Sequence, residues 1–244
     1  MKALVLAAGL GTRLRPLTND RPKALVTLNG RTLLEICLER LRSFGVTEAI
    51  VNTHHFAEMV AEYLAAHRNF GMRIEISHEE VLLDTGGGLK KAGWFFRDAG
   101  DEPFLIHNVD VISNIDLAAI LRLHRESGAL ATLAVQERPS SRQLLFDQNG
   151  LLCGRQAGRD AQPETVRPVV HPRPLAFGGI HAVSPRLLTL LDDEGAFPIV
   201  PAYLRMAQRG EPIKAFQADQ YRWRDLGRAE SLLAAEEDLR AGAL

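Results

Sequence analysis

The chain has 244 residues, 46% of them hydrophobic and 24% charged, with a net charge of −1. Those values are ordinary for a globular protein and exclude a global field that would gather nucleic acid or an acidic membrane surface. Its two cysteines, Cys37 and Cys153, are too few and too far apart for a disulfide framework or a cysteine metal site, and no stretch reaches the ~20 apolar residues of a membrane helix.

Taken in chain order, Ala3 to Ala8 reads as a buried strand. The apolar run from Met1 superficially resembles a signal peptide, but it is short and leads into Gly9, Gly11, Arg13 and Arg15, so a cytoplasmic protein is expected. Leu33, Leu34, Ile36, Leu38, Leu41 and Phe44 recur at helical spacing within Thr32 to Phe44, and Gly45 stands where a C-cap belongs. Ala49 to Val51 is the next strand, Phe56 to His67 a helix, and Arg73 to Ser77 a strand. Gly86 to Phe96 reads as helix, Pro103 to His107 as strand, Ile115 to Glu126 as helix capped by Asn114 or Asp116, and Ala129 to Val135 as strand. Repeated β-α units predict an α/β fold: a Rossmann-like, mainly parallel sheet flanked by helices.

The pattern changes after Glu137. Leu144 to Phe146 and Leu151 to Cys153 flank Asn149-Gly150, which predicts a hairpin and hence a small β insertion in the second half that roofs the site. The polar stretch from Arg155 to Pro174 reads as a mobile loop. Leu175 to Val183 is a strand, Pro185 to Leu191 and Pro198 to Gln208 are helical, Ile213 to Gln217 is a strand, and a last helix spans about Arg228 to Leu239. No internal repeat is visible, and one domain over 1–244 is expected.

In parallel sheets ligands bind beyond the carboxyl ends of the strands, so chemistry is sought just after each one. The first strand runs into Leu6-Ala7-Ala8-Gly9-Leu10-Gly11-Thr12-Arg13-Leu14-Arg15-Pro16, with Lys23 beyond. Glycine lets backbone amides approach a phosphate and adopt positive φ. Arg13, Arg15, Arg21 and Lys23 oppose only Asp20, which suits a triphosphate or pyrophosphate. Leu14 replaces the third glycine of a dinucleotide-binding fingerprint, and no Gly-Lys-Ser/Thr of a Walker loop follows. Asp110 follows the strand ending at His107, where a carboxylate could hold a hard cation such as Mg2+ or simply cap a turn. Asp225 precedes the last helix and could cap it. Asp84-Thr85-Gly86-Gly87-Gly88 opens a helix whose free N–H groups and small residues suit a base or ribose.

From Leu6 to Pro16, with Lys23, the sequence resembles the signature of the sugar-phosphate nucleotidyltransferases, and the likeness continues to the final helix. It implies a nucleotide-diphospho-sugar transferase fold, with residues 1–136 on the nucleotide side, 137–227 on the sugar side and 228–244 as C-terminal helix. It implies transfer of a nucleoside monophosphate from a triphosphate to a sugar 1-phosphate with release of pyrophosphate. Carried over by position, Arg13 and Lys23 are the catalytic cations, and Asp110 and Asp225 hold Mg2+. Ala7, Ala8, Gly9, Gly11, Thr12, Arg13, Lys23, Glu79, Thr85, Gly86 and Gly87 bind nucleotide; Asn108, Gly178 and Gly179 face the sugar, with Ser140, Ser141 and Arg142 at its border. Three positions depart from the family pattern: Ala24 follows Lys23 where proline is usual, Val109 replaces the glycine before Asp110, and Asp84 replaces the first glycine of Gly-Thr-Gly-Gly. Glu79 suits guanine N1–H and N2–H better than uracil, or is a solvated charge at a strand end. UTP and GTP, the sugar, and monomer against homodimer stay open. His54, His55, His107 and His181 read as structural. A nucleotide-sugar glycosyltransferase and a non-catalytic nucleotide sensor of the same fold are the alternatives.

Overall fold

The computed structural model describes residues 1–158 and 161–240. In chain order the first half holds β1 (Lys2–Leu6), β2 (Thr27–Leu28), β3 (Arg31–Thr32), α1 (Leu33–Ser43), β4 (Glu48–Thr53), α2 (Ala57–Ala66), β5 (Arg73–His78), α3 (Asp84–Ala92), β6 (Phe104–Asn108), β7 (Val111–Ser113), α4 (Leu117–Ser127) and β8 (Ala131–Gln136). The second half holds β9 (Arg142–Phe146), β10 (Leu152–Ala157), β11 (Glu164–Thr165), β12 (Arg173–Val183), α5 (Arg186–Thr189), α6 (Ile199–Gln208), β13 (Ile213–Gln217), β14 (Trp223–Asp225) and α7 (Ala229–Arg240).

Gly45 and Asp116 cap where the sequence places them, and Thr32 adds a cap that the sequence reading did not name. Thr32 Oγ1 accepts from Glu35 N at 3.1 Å, and Asp116, not Asn114, caps α4 by accepting from Ala119 N at 3.0 Å. Gly45 ends α1 with φ of +85°. In β1, Ala3 and Val5 pack into one apolar cluster with α1, α2, α4 and α7, while Leu4 packs into a second with α3, α5 and α6. That alternation places helices on both faces of one sheet.

Four strands in the order β6-β1-β4-β5 are parallel. The chain moves outward from β1 through β4 and β5, then returns to β1's other side as β6. The reversal opens a crevice between the loops that follow β1 and β6, where an open α/β sheet takes its ligand. Beyond β6 the sheet turns antiparallel through β12, to which β8 and β9 also pair, and β8 and β13 are again parallel. The sheet is therefore parallel in its core rather than throughout.

The expected hairpin β9–β10 forms, and it extends the main sheet through β12. The stretch predicted as a mobile loop begins by continuing β10 to Ala157 and contains β11, which pairs with β10. Gly154 allows that approach, since a Cβ there would lie 2.3 Å from Glu164 O; residues 159 and 160 fall outside the described set. Among the described residues no helix is long and apolar enough to cross a membrane.

Candidate active site

Strand β1 delivers the chain into the crevice, and its outgoing loop is anchored from both sides. Val109 N donates to Leu6 O at 3.0 Å, and Asn52 Oδ1 accepts from Ala7 N at 2.6 Å and Ala8 N at 3.3 Å. The amides of Ala7 and Ala8 thus face inward and form the foot of the loop, not its anion-binding surface. From Gly9 to Arg13 no backbone amide has a partner among the described residues, and Gly9, Thr12 and Arg13 are exposed. Gly11 is required by geometry: its φ is +64°, and a Cβ would sit 2.9 Å from Thr18 Cγ2. Thr18 Oγ1 completes the turn by donating to Gly11 O at 2.9 Å. Arg21 pairs with neighbouring Asp20, which trims the cationic excess read from the sequence.

Lys23 lies 8% exposed behind this loop, and its Nζ donates to Asp110 Oδ2. Asp110 is joined to the other expected aspartate by a ladder. Strands β7 and β14 pair antiparallel with Asp225 opposite Val111, and Leu226 N donates to Asp110 O at 2.7 Å. Asp225 Oδ1 accepts from Gly227 N at 2.7 Å. A Cβ on Gly227 would meet Asp225 Oδ1 at 2.6 Å and Arg13 Nη2 at 2.7 Å, so the Arg13 guanidinium reaches the same turn. Arg13, Lys23, Asp110 and Asp225 are therefore brought to one place from four separate segments.

The departures at Val109 and Asp84 are accommodated. Val109 is 4% exposed and is absent from the positive-φ positions, so a side chain costs its backbone nothing. Asp84 has φ of +60°, a conformation aspartate tolerates better than most residues. Ala24 is fully buried beside Lys23.

The sugar-side residues gather next to the aspartates. The β12–β8 register shifts between Phe177 and His181, and this bulge gives Gly179 a φ of +71°. A Cβ on Gly179 would lie 2.6 Å from Asn108 Nδ2, and Trp223 Nε1 donates to Gly178 O at 2.7 Å. Arg138, which the sequence reading missed, stacks its guanidinium 3.8 Å over the Trp223 ring and donates to Phe177 O at 3.0 Å. Its Nε is buried without a partner among the described residues. Burial lowers its pKa while Asp225 opposes the shift. Arg138 lines two open hollows of about 360 and 330 Å3, the second lined also by Ser140, Gln143 and Arg173. Position just after β8 was the available signal for Arg138, as position at the end of β4 was for Asn52.

On the expected nucleoside side, the amides and the carboxylate have partners within the fold. The amides of Gly86 and Gly87 are not free: both donate to Phe197 O, at 2.9 and 3.1 Å. Their smallness serves packing, since a Cβ would meet the Phe197 ring at 2.3 Å or Gly195 O at 2.4 Å. Thr85 N donates to Asp84 Oδ1 at 2.6 Å, and Thr85 Oγ1 accepts from Ile199 N at 3.0 Å. Glu79 is neither solvated nor presented to a base edge. It is fully buried, with Oε1 accepting from Asn52 Nδ2 at 2.8 Å and Oε2 from Leu83 N at 2.9 Å.

Burial pushes the His107 imidazole down to about 4 and the His181 imidazole down to about 3, as suits structural residues. His181 Nδ1 lies 2.6 Å from the Tyr203 hydroxyl. Both cysteines are free and buried, and burial pushes the Cys37 thiol up to about 12. Among the described residues no three His, Cys, Asp or Glu side chains gather as a metal cage. Asp110 and Asp225 lie at adjoining positions of one ladder, with Asp110 beside Lys23 Nζ and Asp225 beside Gly227 N, and carboxylate oxygens are the ligands a hard cation prefers.

The family model described as nucleotidyl transferase matches residues 2–144. The N-acetylmuramate alpha-1-phosphate uridylyltransferase of Caulobacter vibrioides is 35% identical over 250 aligned positions, which cover 97% of this chain and 96% of that protein. The mannose-1-phosphate guanyltransferase beta-A of Xenopus laevis is 30% identical over 96% of this chain, which spans 63% of that longer protein. Crystalline HddC from Yersinia pseudotuberculosis, complexed with GMP-PN, is alike in fold: the TM-score is 0.76 at 20% identity, over 98% of this chain and 99% of that one.

Proposed function

The chain belongs to the nucleotidyl transferase family and has the nucleotide-diphospho-sugar transferase fold, and from that premise we propose that it joins a uridylyl group from UTP to a sugar 1-phosphate and releases pyrophosphate. The observation that carries this reading is the meeting of Arg13, Lys23, Asp110 and Asp225 at the mouth of the unbonded Gly9–Arg13 amides. Uridine is favoured over guanine on two grounds. The relative matched end to end is a uridylyltransferase, and Glu79, the residue that would favour guanine, is closed off by Asn52 and Leu83.

A sugar phosphate oxygen forms a bond to the α-phosphorus as the bond from that phosphorus to pyrophosphate breaks. The nucleophile is already an anion near neutral pH, so no side chain needs to remove a proton. The work of the protein is alignment and charge neutralisation. The amides from Gly9 to Arg13 hold the triphosphate, Arg13 meets the charge growing on the departing pyrophosphate, and Lys23 spans the α-phosphate and the incoming phosphate. Asp110 and Asp225 would hold Mg2+, which when bound supplies Lewis-acid charge to the phosphate oxygens. Asn108, Gly178, Gly179 and Trp223 form the sugar wall.

The test is a matrix of UTP, GTP, ATP and dTTP against N-acetylmuramate, glucose and mannose 1-phosphates, read by pyrophosphate release. Turnover with UTP and one sugar 1-phosphate is expected. Strong preference for GTP would overturn the choice of base. Triphosphate binding with no turnover across the matrix would leave a sensing subunit. Hydrolysis or transfer from a nucleotide sugar, with no pyrophosphate made, would identify a glycosyltransferase.

A further inference from the structure

We infer that Asn52 is a positioning residue for the triphosphate: paired with Glu79, it fixes the direction in which the phosphate loop leaves β1. The inference rests on the function proposed above, but its geometry stands independently. Asn52 is 2% exposed at the end of β4, and Glu79 is fully buried just past β5. Asn52 Oδ1 accepts from Ala7 N and Ala8 N, Asn52 Nδ2 donates to Glu79 Oε1, and Glu79 Oε2 accepts from Leu83 N. One side-chain pair therefore joins the foot of the loop, two strand ends and the turn before α3. Gly88 of α3 closes over it, since a Cβ there would sit 2.7 Å from both Asn52 Nδ2 and Glu79 Oε1. Buried polar groups with no room for water must satisfy one another.

The direction of each hydrogen bond is determined. Two amide N–H groups face Asn52 Oδ1, so its Nδ2 must face Glu79, and Glu79 must accept there and at Leu83. Asn52→Asp alone sets two carboxylates against each other, a contact that closes only if one of them takes up a proton. Glu79→Gln alone keeps the Leu83 bond only by turning its amide NH2 toward that of Asn52. Each single change breaks one link. The double change Asn52→Asp with Glu79→Gln restores them all: the introduced carboxylate would accept from Ala7 N, Ala8 N and the introduced amide NH2, whose carbonyl accepts from Leu83 N. A loop foot released on one side would splay the Gly9–Arg13 amides, and only the triphosphate should register it.

The experiment measures KM for UTP, KM for sugar 1-phosphate and kcat, with calorimetric affinity for a non-hydrolysable UTP analogue, well below the melting temperature of every variant. Each single variant is expected to weaken triphosphate affinity by about tenfold or more, because the misdirected loop no longer aligns its amides on the phosphates. KM for the sugar 1-phosphate should stay within about twofold, and the double variant should return to within about threefold of the starting protein. Should Asn52→Asp not accumulate in folded form, Glu79→Gln and the double variant carry the same comparison. Folded single variants with unchanged triphosphate affinity would reduce the pair to a structural brace and overturn the inference, as would a double variant no better than the worse single. If the starting protein itself binds no triphosphate, the proposed function fails and the inference with it. If it binds triphosphate without turnover, only the reaction is lost and the affinity comparison still decides the role of Asn52.

Discussion

Asp110→Asn separates two consequences of a single charge. Asp110 and Lys23 are in contact with side-chain exposures of 16% and 10%. Removing one partner of a fully buried pair costs about 3–5 kcal/mol because the other charge is stranded, whereas an exposed pair contributes at most about 1 kcal/mol. This pair lies between those limits, so Asp110→Asn should destabilise by about 2 kcal/mol, a fall of roughly 4–8 °C in Tm for a chain of this length. The same substitution removes one proposed metal carboxylate and should lower kcat by about 10²–10³. Adding Lys23→Met removes the stranded charge, so the double variant should regain most of the Tm and none of the turnover. Scanning fluorimetry and a pyrophosphate-release assay at saturating UTP and Mg2+ read the two effects. Near-normal turnover in Asp110→Asn, or a double variant no more stable than the single, would refute the reasoning.

Gly227→Ala should drive Asp225 and Arg13 apart, because its Cβ has 2.6 and 2.7 Å to them; a loss of about tenfold or more in kcat with little change in Tm is expected, and unchanged kinetics would mean that this turn does not set the site. Arg138→Met removes the cation stacked on Trp223; KM for the sugar 1-phosphate should rise by about tenfold with KM for UTP unchanged, and the reverse pattern would place Arg138 on the nucleotide side. The imidazoles of His107, His124 and His181 all have folded-state pKa values depressed by burial, to about 4, about 4 and about 3. They are neutral in the fold and charge on unfolding, so their contribution is intact above the unfolded value near 6.5 and is lost as pH falls toward 4. Denaturant titrations between pH 6 and 4.5 should show these histidines contributing an uptake of roughly two to three protons on unfolding, reduced by about one in His181→Gln; a stability independent of pH there would contradict the burial.

Periodicity and some caps are local, and these were legible: Gly45 and Asp116, the latter one of two candidates, end their helices where the spacing places them. The pairing of Asp110 with Lys23 was not, and treating the two as independent ligands hides the stability cost of losing either. The closeness of Asp110 and Asp225 depends on a ladder between segments more than a hundred residues apart, which residue types suggest only through family resemblance. Glycines were the least transparent signal. A glycine required by a ligand and one required by a neighbouring ring look alike in sequence, and Gly86 and Gly87 are of the second kind. Glu79 misled for a related reason: a charged residue after a strand suggests exposure or ligand contact, and nothing local reveals that Asn52 and Leu83 bury it. Short β11 escaped because its pairing with β10, closed by Gly154, replaces any apolar alternation of its own.

Both aspartates are proposed to serve one cation together with the triphosphate. Titration of Mn2+ in the presence of a non-hydrolysable UTP analogue, followed by electron paramagnetic resonance, addresses it directly. One tightly held ion per chain is predicted, with affinity falling by more than about tenfold in Asp110→Asn and likewise in Asp225→Asn. Retention of that ion at full affinity in either variant would contradict the claim.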